Sequence, residues 1–275
     1  MLEAALREFH ARDWREDVNL LNRQLARANA PNAGLQESPP SILTGDPFEL
    51  KPNACILIIG INPSWPSSAK QQAVDVRPAE VFWGRGFDAY RSHRRTYFEE
   101  AAGPHGKTRN RDHRYNGRHF SKLGNFIAHA LRVSERSWDA GPNARHLFRT
   151  RAAVFDLLPY WSKDAKQFDL SRIDASRQHC VRDWYNVINA FIAQKRPKAI
   201  IVNNCGQRHL IETVLKCQLA PVRDTPFYAG RRAEGEAHIP ILAQPFLSNW
   251  RGSRQAYVEG FDRWAKVCSA QLPLL

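Results

Sequence analysis

Four short, continuously apolar segments constrain the fold of this chain more than any other feature. Each is four to seven residues long and lacks polar alternation, a pattern typical of strands buried on both faces of a parallel sheet. A strand with one solvent-facing side would instead alternate apolar and polar residues. The four segments are residues 54–60, 152–158, 199–202 and 239–243.

Segments with helical periodicity alternate with these predicted strands, which indicates a parallel sheet covered by helices on both faces. We therefore expect an α/β fold, namely a three-layer α/β/α domain with a central four-stranded parallel sheet, over residues 46–275. Residues 1–45 are expected to form an N-terminal helical extension and linker. The helical segments are residues 1–30, 120–132, 181–194, a helix that starts near residue 207, and residues 253–268.

Polar and aromatic residues follow the predicted strands. Because the carboxyl ends of parallel strands meet at one edge of a sheet, and ligands bind there, these side chains are expected to converge. Convergent amide, carboxylate and aromatic groups favour a pocket for a nucleobase. The residues concerned are Asn62, Ser64 and Trp65 at the first strand, Asp156 in the second, Asn203 at the third and Gln244 at the fourth.

The net charge indicates a polyanionic partner. Forty Lys and Arg residues against 27 Asp and Glu residues give a formal charge of +13 and a sequence pI near 9.9, which is typical of nucleic-acid-binding proteins. Residues 91–122 hold nine Lys or Arg and four His against three acidic residues, with aromatic residues between them. Cations for phosphates and aromatic rings for bases suit such a substrate, and Arg94, Arg95 and Arg118 are the predicted phosphate contacts.

Three motifs in order resemble the uracil-DNA glycosylase superfamily. Gly60-Ile-Asn62-Pro63-Ser64 is similar to its Gly-x-Asn-Pro motif, closest to the mismatch-specific and single-strand-selective branches. Residues 156–159 resemble the second motif, Asn-x-x-Pro, and residues 244–249 the terminal His-Pro-Ser-Pro loop. The resemblance spans roughly residues 50–270. It implies a monofunctional DNA glycosylase, which flips a pyrimidine out of DNA and hydrolyses its N-glycosidic bond to leave an abasic site.

The resemblance also implies roles for individual residues. Asn62 occupies the position that orients the attacking water, and Gln244 the position that donates a hydrogen bond to the departing base. Gln244 stands where the family usually has His, so it can donate but cannot carry a positive charge. Asp156, Ser64, Trp65, Phe82 and Asn203 are predicted to bind the base, with Trp65 and Phe82 as stacking partners.

Two departures from the family pattern concern the substrate. Ser64 replaces the Tyr that blocks C5-substituted pyrimidines in the uracil-specific branch, which leaves room at C5. Asp156 replaces an Asn, and a carboxylate accepts from the N4 amino group of cytosine but opposes the O4 acceptor of uracil. Together these residues predict a preference for a 5-substituted, modified cytosine. Such an activity would serve antiviral defence against foreign DNA, for instance phage DNA that carries modified cytosines.

Further DNA contacts are predicted from position. The loop after the fourth strand lies where the family has its intercalating loop, and Arg208 opens a helix after the third strand, where a phosphate can bind. The predicted residues of the loop are Phe246, Leu247, Trp250 and Arg251.

Other features argue against a cofactor and a membrane. Five scattered cysteines without paired spacing predict reduced thiols, no iron–sulfur cluster and no metal. No run of 18 apolar residues and no secretory signal is found, so a cytoplasmic monomer with no membrane contact and no cofactor is expected.

Two other interpretations remain open. One is a uracil or thymine mismatch repair glycosylase of the same fold, because the motifs do not fix the base. The other is a non-catalytic module that binds modified or single-stranded nucleic acid. It remains open because Asn62 is a poorer base than the Asp of the family's fastest branch, and Gln244 cannot carry the positive charge of the usual His.

Overall fold

The computed structural model contains, among the residues that it describes, one six-stranded mixed sheet. The structure describes residues 1–28, 34–61, 63, 65–66, 69, 72–98 (without the side chains of 74 and 75), 120, 123–124, 126–127, 130, 147–163, 178–235, 237–247 and 250–268. The strands are β1 (Ile56–Gly60), β2 (Ala152–Asp156), β3 (Ala199–Asn203), β4 (Ala220–Pro221), β5 (Tyr228–Glu234) and β6 (Ala237–Gln244). Their spatial order is β2-β1-β3-β6-β5-β4.

The α/β prediction is confirmed, but the predicted extent of the sheet is wrong. The strands β2, β1, β3 and β6 are parallel, as expected, and β5 and β4 extend this group with antiparallel pairing. The sequence did not indicate β5 because its buried positions are occupied by Ala229, Gly230 and Arg232 rather than by large apolar residues. Arg232 is tolerated there because its guanidinium donates to Asn189 Oδ1 at 2.6 Å and pairs with Glu234.

The helices cover both faces of the sheet. They are α1 (Leu2–His10), α2 (Trp14–Arg27), α3 (Arg77–Gly84), α4 (Phe87–Arg95), α5 (His179–Lys195), α6 (Arg208–Leu215) and α7 (Arg254–Val267). Two of their ends carry side-chain caps: Asp13 accepts from the backbone of the first turn of α2, and Ser253 Oγ accepts from Ala256 N at the start of α7. Neither α3 nor α4 was predicted from the sequence.

Alternate residues of each parallel strand enter two different hydrophobic clusters. In β1, Leu57 and Ile59 pack with α1, α2, α5 and α6, while Ile56 and Ile58 pack with the aromatic residues of α7. This alternation follows from the period of two along a strand. Any residue at the end of a strand can therefore be assigned to one face by its register.

The N-terminal helices share a core with the sheet. Leu2, Leu6 and Phe9 are buried in the same cluster as Leu57 and Ile59. The linker that follows is held by Lys195 at the end of α5, whose Nζ donates to the carbonyl oxygens of Phe48 at 2.9 Å and Leu50 at 2.6 Å. The described residues between Met1 and Leu50 thus pack in the same core as the sheet.

A buried polar network connects α2 with the segment after β2. Asp17 accepts from the hydroxyl of Tyr160 at 2.7 Å and from Arg12, which also pairs with Asp183 on α5. Because the carboxylate accepts three hydrogen bonds from these two residues, its burial is tolerated. No helix within the described ranges is both long enough and apolar enough to cross a membrane.

Candidate functional site

Four residues lie side by side at the carboxyl edge of the parallel strands. Gly60 pairs with Asp156, and Asn203 pairs with Gln244. Since Ile59 pairs with Val202, the next position along places Gly60 beside Asn203. We refer to Asp156, Gly60, Asn203 and Gln244, in this spatial order, as the strand-end row. By register, all four belong to the sheet face covered by α7.

The absence of a Cβ atom at Gly60 accommodates the carboxyl group of Asp156. A Cβ atom at residue 60 would overlap Asp156 Oδ1 and approach Asp156 Cγ to 3.2 Å. The carboxyl group of Asp156 therefore reaches from β2 across the backbone of β1, one strand nearer to Asn203. The carboxyl group of Asp156 thus packs against the glycine of the first motif.

The carboxyl group of Asp156 is poorly solvated. Among the described residues it has no ion-pair partner and no hydrogen-bond donor, although the backbone carbonyl of Asp156 accepts from Trp184 Nε1 at 2.7 Å. Desolvation raises the pKa of Asp156 from 3.8 to about 7, because a charged carboxylate loses more hydration than a neutral acid. At neutral pH the group is thus divided between its acid and carboxylate forms.

Gln244, at the other end of the row, is fully buried and hydrogen-bonded at both ends of its amide. Its Oε1 accepts from the hydroxyl of Tyr257 at 2.6 Å, and its Nε2 donates to Asn203 Oδ1 at 3.2 Å. The backbone N–H of Leu247 also donates to Asn203 Oδ1, at 3.1 Å. Because a backbone amide can only donate, this bond fixes the orientation of both side-chain amides.

This network corrects the role predicted for Gln244. Its amide group is committed to Asn203 and Tyr257, and the residue has no exposed surface, so it is not available to a departing base. Asn203 Oδ1 is turned toward β6, which directs Asn203 Nδ2 away from β6. No described residue accepts a hydrogen bond from this amino group. Asn203 is itself buried, at 2% exposed, and its Nδ2 is the amide nitrogen of the row that donates to no described residue.

The loop after β1 is bound to the segment after β2. Trp65 N donates to Ser162 O at 2.9 Å, and Ser162 N donates to Pro63 O at 3.0 Å. The ring of Trp65 is partly exposed and meets the buried Trp161 edge-on, with the centroids 6.1 Å apart. Asn62 and Ser64, predicted as the water-positioning residue and the C5 gate, lie outside the described residues.

Phe82 is stacked within the helical pair formed by α3 and α4. Its ring lies 4.4 Å from that of His93 with an interplanar angle of 13°, and the guanidinium of Arg85 lies 5.2 Å from its centroid. No described contact connects Phe82 with the strand-end row. The predicted role of Phe82 in stacking a base is not supported by this arrangement, because one ring face is already covered by His93.

The predicted phosphate contacts differ in exposure. Arg94 is 2% exposed, its Nε donates to Leu43 O at 2.7 Å and its guanidinium lies over Tyr97, so the prediction that it contacts DNA is wrong. Arg95 is exposed and paired with Glu49, and Arg208 lies over the ring of Tyr228. Arg251 is exposed. Arg118 lies outside the described residues.

The described residues of the loop after β6 differ in their exposure. Leu247 is 2% exposed, which contradicts its predicted role as a wedge. Trp250 is partly exposed and packs against the core through Phe227 and Tyr257, at centroid distances of 5.8 and 5.9 Å, and it stays a predicted DNA contact. Phe246 is partly exposed, and it remains a predicted DNA contact.

Tyr257 is the site residue that sequence reasoning missed. The helical pattern of residues 253–268 places it on one apolar stripe with Phe261 and Trp264, and all three are buried. Nothing in the local pattern indicates that its hydroxyl meets Gln244, because that bond joins a helix to a strand end. The signal available was the presence of a tyrosine, which normally needs a partner when buried.

Two clefts lie elsewhere on the molecule. Two adjoining clefts of about 740 and 470 Å³ share Thr213 and Lys216, and the larger includes His238 near the start of β6. Gln244 lies at the opposite end of that strand, so these clefts are separate from the strand-end row. Within the part of the chain that the structure describes, no group of three His, Cys, Asp or Glu side chains could hold a metal ion.

Comparison with known proteins does not identify a family. No protein-family model matches this chain, and no curated protein has significant sequence similarity to it.

Proposed function

We propose that this protein is a monofunctional DNA glycosylase that hydrolyses the N-glycosidic bond of a flipped pyrimidine, as the resemblance to the uracil-DNA glycosylase superfamily implies. The observation that carries this proposal is the strand-end row. It presents an acidic group on Asp156 and an amide donor on Asn203 on one sheet face, at the edge where α/β proteins bind ligands. A pyrimidine offers complementary donors and acceptors on one edge.

Hydrolysis of the N-glycosidic bond requires a hydrogen-bond donor for the departing base and an oriented water molecule. As the bond to C1′ breaks, negative charge develops on the base, and a fixed donor close to a ring carbonyl stabilises it. Asn203 Nδ2 is suited to this task because both bonds to Asn203 Oδ1 hold the amide in one orientation. Asn62 remains the residue proposed to orient the attacking water, on the basis of its motif position.

The charge of the chain supports DNA as the partner. A net charge of +13 favours binding to a polyanion. Among the described residues, Arg251 is exposed close to the loop that follows β6. Flipping a base costs a few kcal/mol of stacking and pairing free energy, which phosphate contacts of this kind must offset.

A modified, 5-substituted cytosine is the proposed substrate, with foreign DNA such as phage DNA as its proposed source. Ser64 supports this choice through its small size. Asp156 supports it because a carboxyl group can accept from the N4 amino group of cytosine. Excision of uracil in repair is the second candidate, because a neutral carboxyl group offers the same donor and acceptor as the Asn that it replaces.

A non-catalytic module that binds nucleic acid is the candidate of another class. The burial of Gln244 and its bonds to Asn203 and Tyr257 favour it, since this residue stands where the family usually has a His beside the departing base.

An abasic-site assay tests the proposal. Duplex and single-stranded oligonucleotides carrying uracil, thymine opposite guanine, cytosine or a bulky 5-substituted cytosine would be incubated with the protein and then cleaved with alkali. Strand cleavage at the substituted cytosines is the expected result, and cleavage at uracil alone would support the repair enzyme. Tight binding without cleavage of any oligonucleotide would contradict the glycosylase and support the binding module.

Two matched variants separate catalysis from folding. Asn203→Asp keeps the acceptor for Gln244 Nε2 and Leu247 N but removes the donor, so excision should fall by about 100-fold or more. Asn189→Asp makes the same exchange at a site where Oδ1 accepts from Arg232, remote from the row, and should keep full activity. Equal activity of both variants would exclude Asn203 from the reaction.

A further inference from the structure

We propose that Asp156 is a general acid that donates its proton to ring nitrogen N3 of a flipped cytosine while the glycosidic bond breaks. The inference rests on the proposed glycosylase function and assigns Asp156 a catalytic task beyond recognition of the base. It starts from the position of the carboxyl group, which lies over Gly60 at the carboxyl edge of the sheet and on the same face as Asn203.

The surroundings of this carboxyl group favour its neutral form. The neighbouring strands contribute Gly60, Ile61 and Asn203, helix α5 contributes Trp184 through the backbone carbonyl of Asp156, and Leu157 follows in the chain. None of these residues is charged.

An ion pair also contacts the segment after β2. The Arg12–Asp17 ion pair reaches it only at the hydroxyl of Tyr160, four residues beyond Asp156. The loop residues Pro63 and Trp65 are uncharged. Desolvation therefore acts on Asp156 without a compensating cation in the described ranges, which agrees with its pKa of about 7.

A neutral carboxyl group makes two complementary contacts with cytosine. Its O–H can donate to N3, and its carbonyl oxygen can accept from the N4 amino group. An ionised carboxylate would keep only the second contact and would face the lone pair of N3. The acid form is therefore both the better reader of cytosine and the form that holds a transferable proton.

Cytosine needs this proton more than uracil does, because its anion is a poorer leaving group. As the C1′–N1 bond breaks, its electron pair passes to the base, and the Asp156 proton moves to N3. The base then leaves as a neutral tautomer. Water forms the new C1′–O bond, and the proton that this water loses restores the carboxyl group of Asp156. The net reaction consumes one water molecule and releases one base.

The pH dependence of single-turnover excision tests the proposal with the full chain and an oligonucleotide carrying a 5-substituted cytosine. For the wild-type protein, the rate should be constant below pH 7 and should fall about tenfold per pH unit above it. In Asp156→Asn, which keeps a donor and an acceptor but has no acidic proton, the rate should fall by about 10²–10⁴ and lose this dependence.

Three controls make the outcomes distinguishable. Glu259→Gln replaces an exposed carboxylate on α7 by an amide and should leave the rate and its pH profile unchanged. Binding of the oligonucleotide by Asp156→Asn should stay within threefold of wild type, which would locate the loss in the chemical step. Excision of uracil by Asp156→Asn should fall less than tenfold, because N3 of uracil already carries a proton.

The results distinguish the general-acid role of Asp156 from the glycosylase activity itself. A wild-type protein that produces no abasic site from any base would overturn the glycosylase assignment itself. A wild-type protein that excises the cytosine but shows no fall above pH 7, or an Asp156→Asn variant that excises it at the wild-type rate, would overturn the general-acid role alone.

Discussion

Asp156 and Gln244 lie at opposite ends of one row of in-register residues, yet their side chains are in opposite hydrogen-bonding states. Gln244 is fully buried, and its oxygen and nitrogen atoms are bonded to Tyr257 and Asn203. The carboxyl group of Asp156 has no hydrogen bond to a described residue, and its pKa is raised to about 7. Both residues were predicted as site residues from the same kind of evidence, namely a polar side chain at a strand end.

The difference shows that a polar residue at a strand end is available to a ligand only where the fold leaves its hydrogen bonds unused. The amide of Gln244 holds Asn203 in place, and Asn203 then presents its amino group. A buried polar group with hydrogen-bond partners stabilises one arrangement of the fold. A desolvated ionisable group without such partners has a shifted pKa, which suits it to proton transfer. The predictions that follow test this contrast, in order of decreasing effect.

Gly60→Ala should have the largest effect, and on activity rather than stability. The new Cβ would overlap Asp156 Oδ1 and so displace the carboxyl group, which should reduce excision by about 100-fold. Because the displaced atom is the end of a side chain, unfolding free energy should change by less than about 1 kcal/mol. Gly84→Ala is the control, since its Cβ would have nothing within 4 Å. Full activity of Gly60→Ala would show that the position of this carboxyl group is unimportant.

Asp156→Asn should stabilise the protein at alkaline pH. The raised pKa means that the folded state keeps its proton up to about pH 7, whereas an unfolded Asp loses it near 3.8. The contribution of Asp156 to the free energy of unfolding is therefore fully present below pH 4 and is lost as the pH rises from 4 to 7. The loss should be about 2 kcal/mol, because the residue is partly exposed. Urea unfolding should show that the free energy of unfolding of Asp156→Asn, relative to wild type, is higher at pH 8 than at pH 4. A constant difference would mean that Asp156 is not desolvated.

Tyr257→Phe should destabilise the opposite end of the row by about 1–2 kcal/mol, because Gln244 Oε1 would lose its donor while remaining buried. Tyr185→Phe provides a matched control. The hydroxyl of Tyr185 is buried and has no hydrogen-bond partner in the described structure, so its removal should be neutral or stabilising. Thermal unfolding of the two variants measures the contrast. Equal effects would argue that the network around Gln244 contributes nothing specific.

Arg251→Ala should have the smallest effect. The side chain is exposed beside the loop that follows β6, and loss of one phosphate contact should weaken DNA binding about threefold and lower the salt slope by about one. Arg15, whose guanidinium lies over Trp14 on α2, is the comparison. Fluorescence anisotropy at several salt concentrations would measure both variants. The same loss in Arg15→Ala would indicate binding by overall charge instead of a defined surface.

The local pattern of apolar residues predicts most of the parallel part of the sheet. The four apolar segments contain β1, β2, β3 and β6, and the helical patterns at residues 181–194 and 253–268 correspond to α5 and α7. Such segments are predictable because continuous burial demands apolar residues whatever the rest of the chain does. In contrast, β5 was not predictable, since its buried Arg232 depends on partners from α5 and from the strand itself.

The sequence by itself also determined which residue types stand at the carboxyl edge, because strand ends can be located from the apolar runs. Only the tertiary structure decided what those residues can do. The bond between Tyr257 and Gln244 and the burial of Arg94 and Leu247 depend on contacts between segments far apart in the chain. The overlap that ties Asp156 to Gly60 depends on strand register. Hydrogen bonding and desolvation are properties of such contacts, so local sequence cannot specify them.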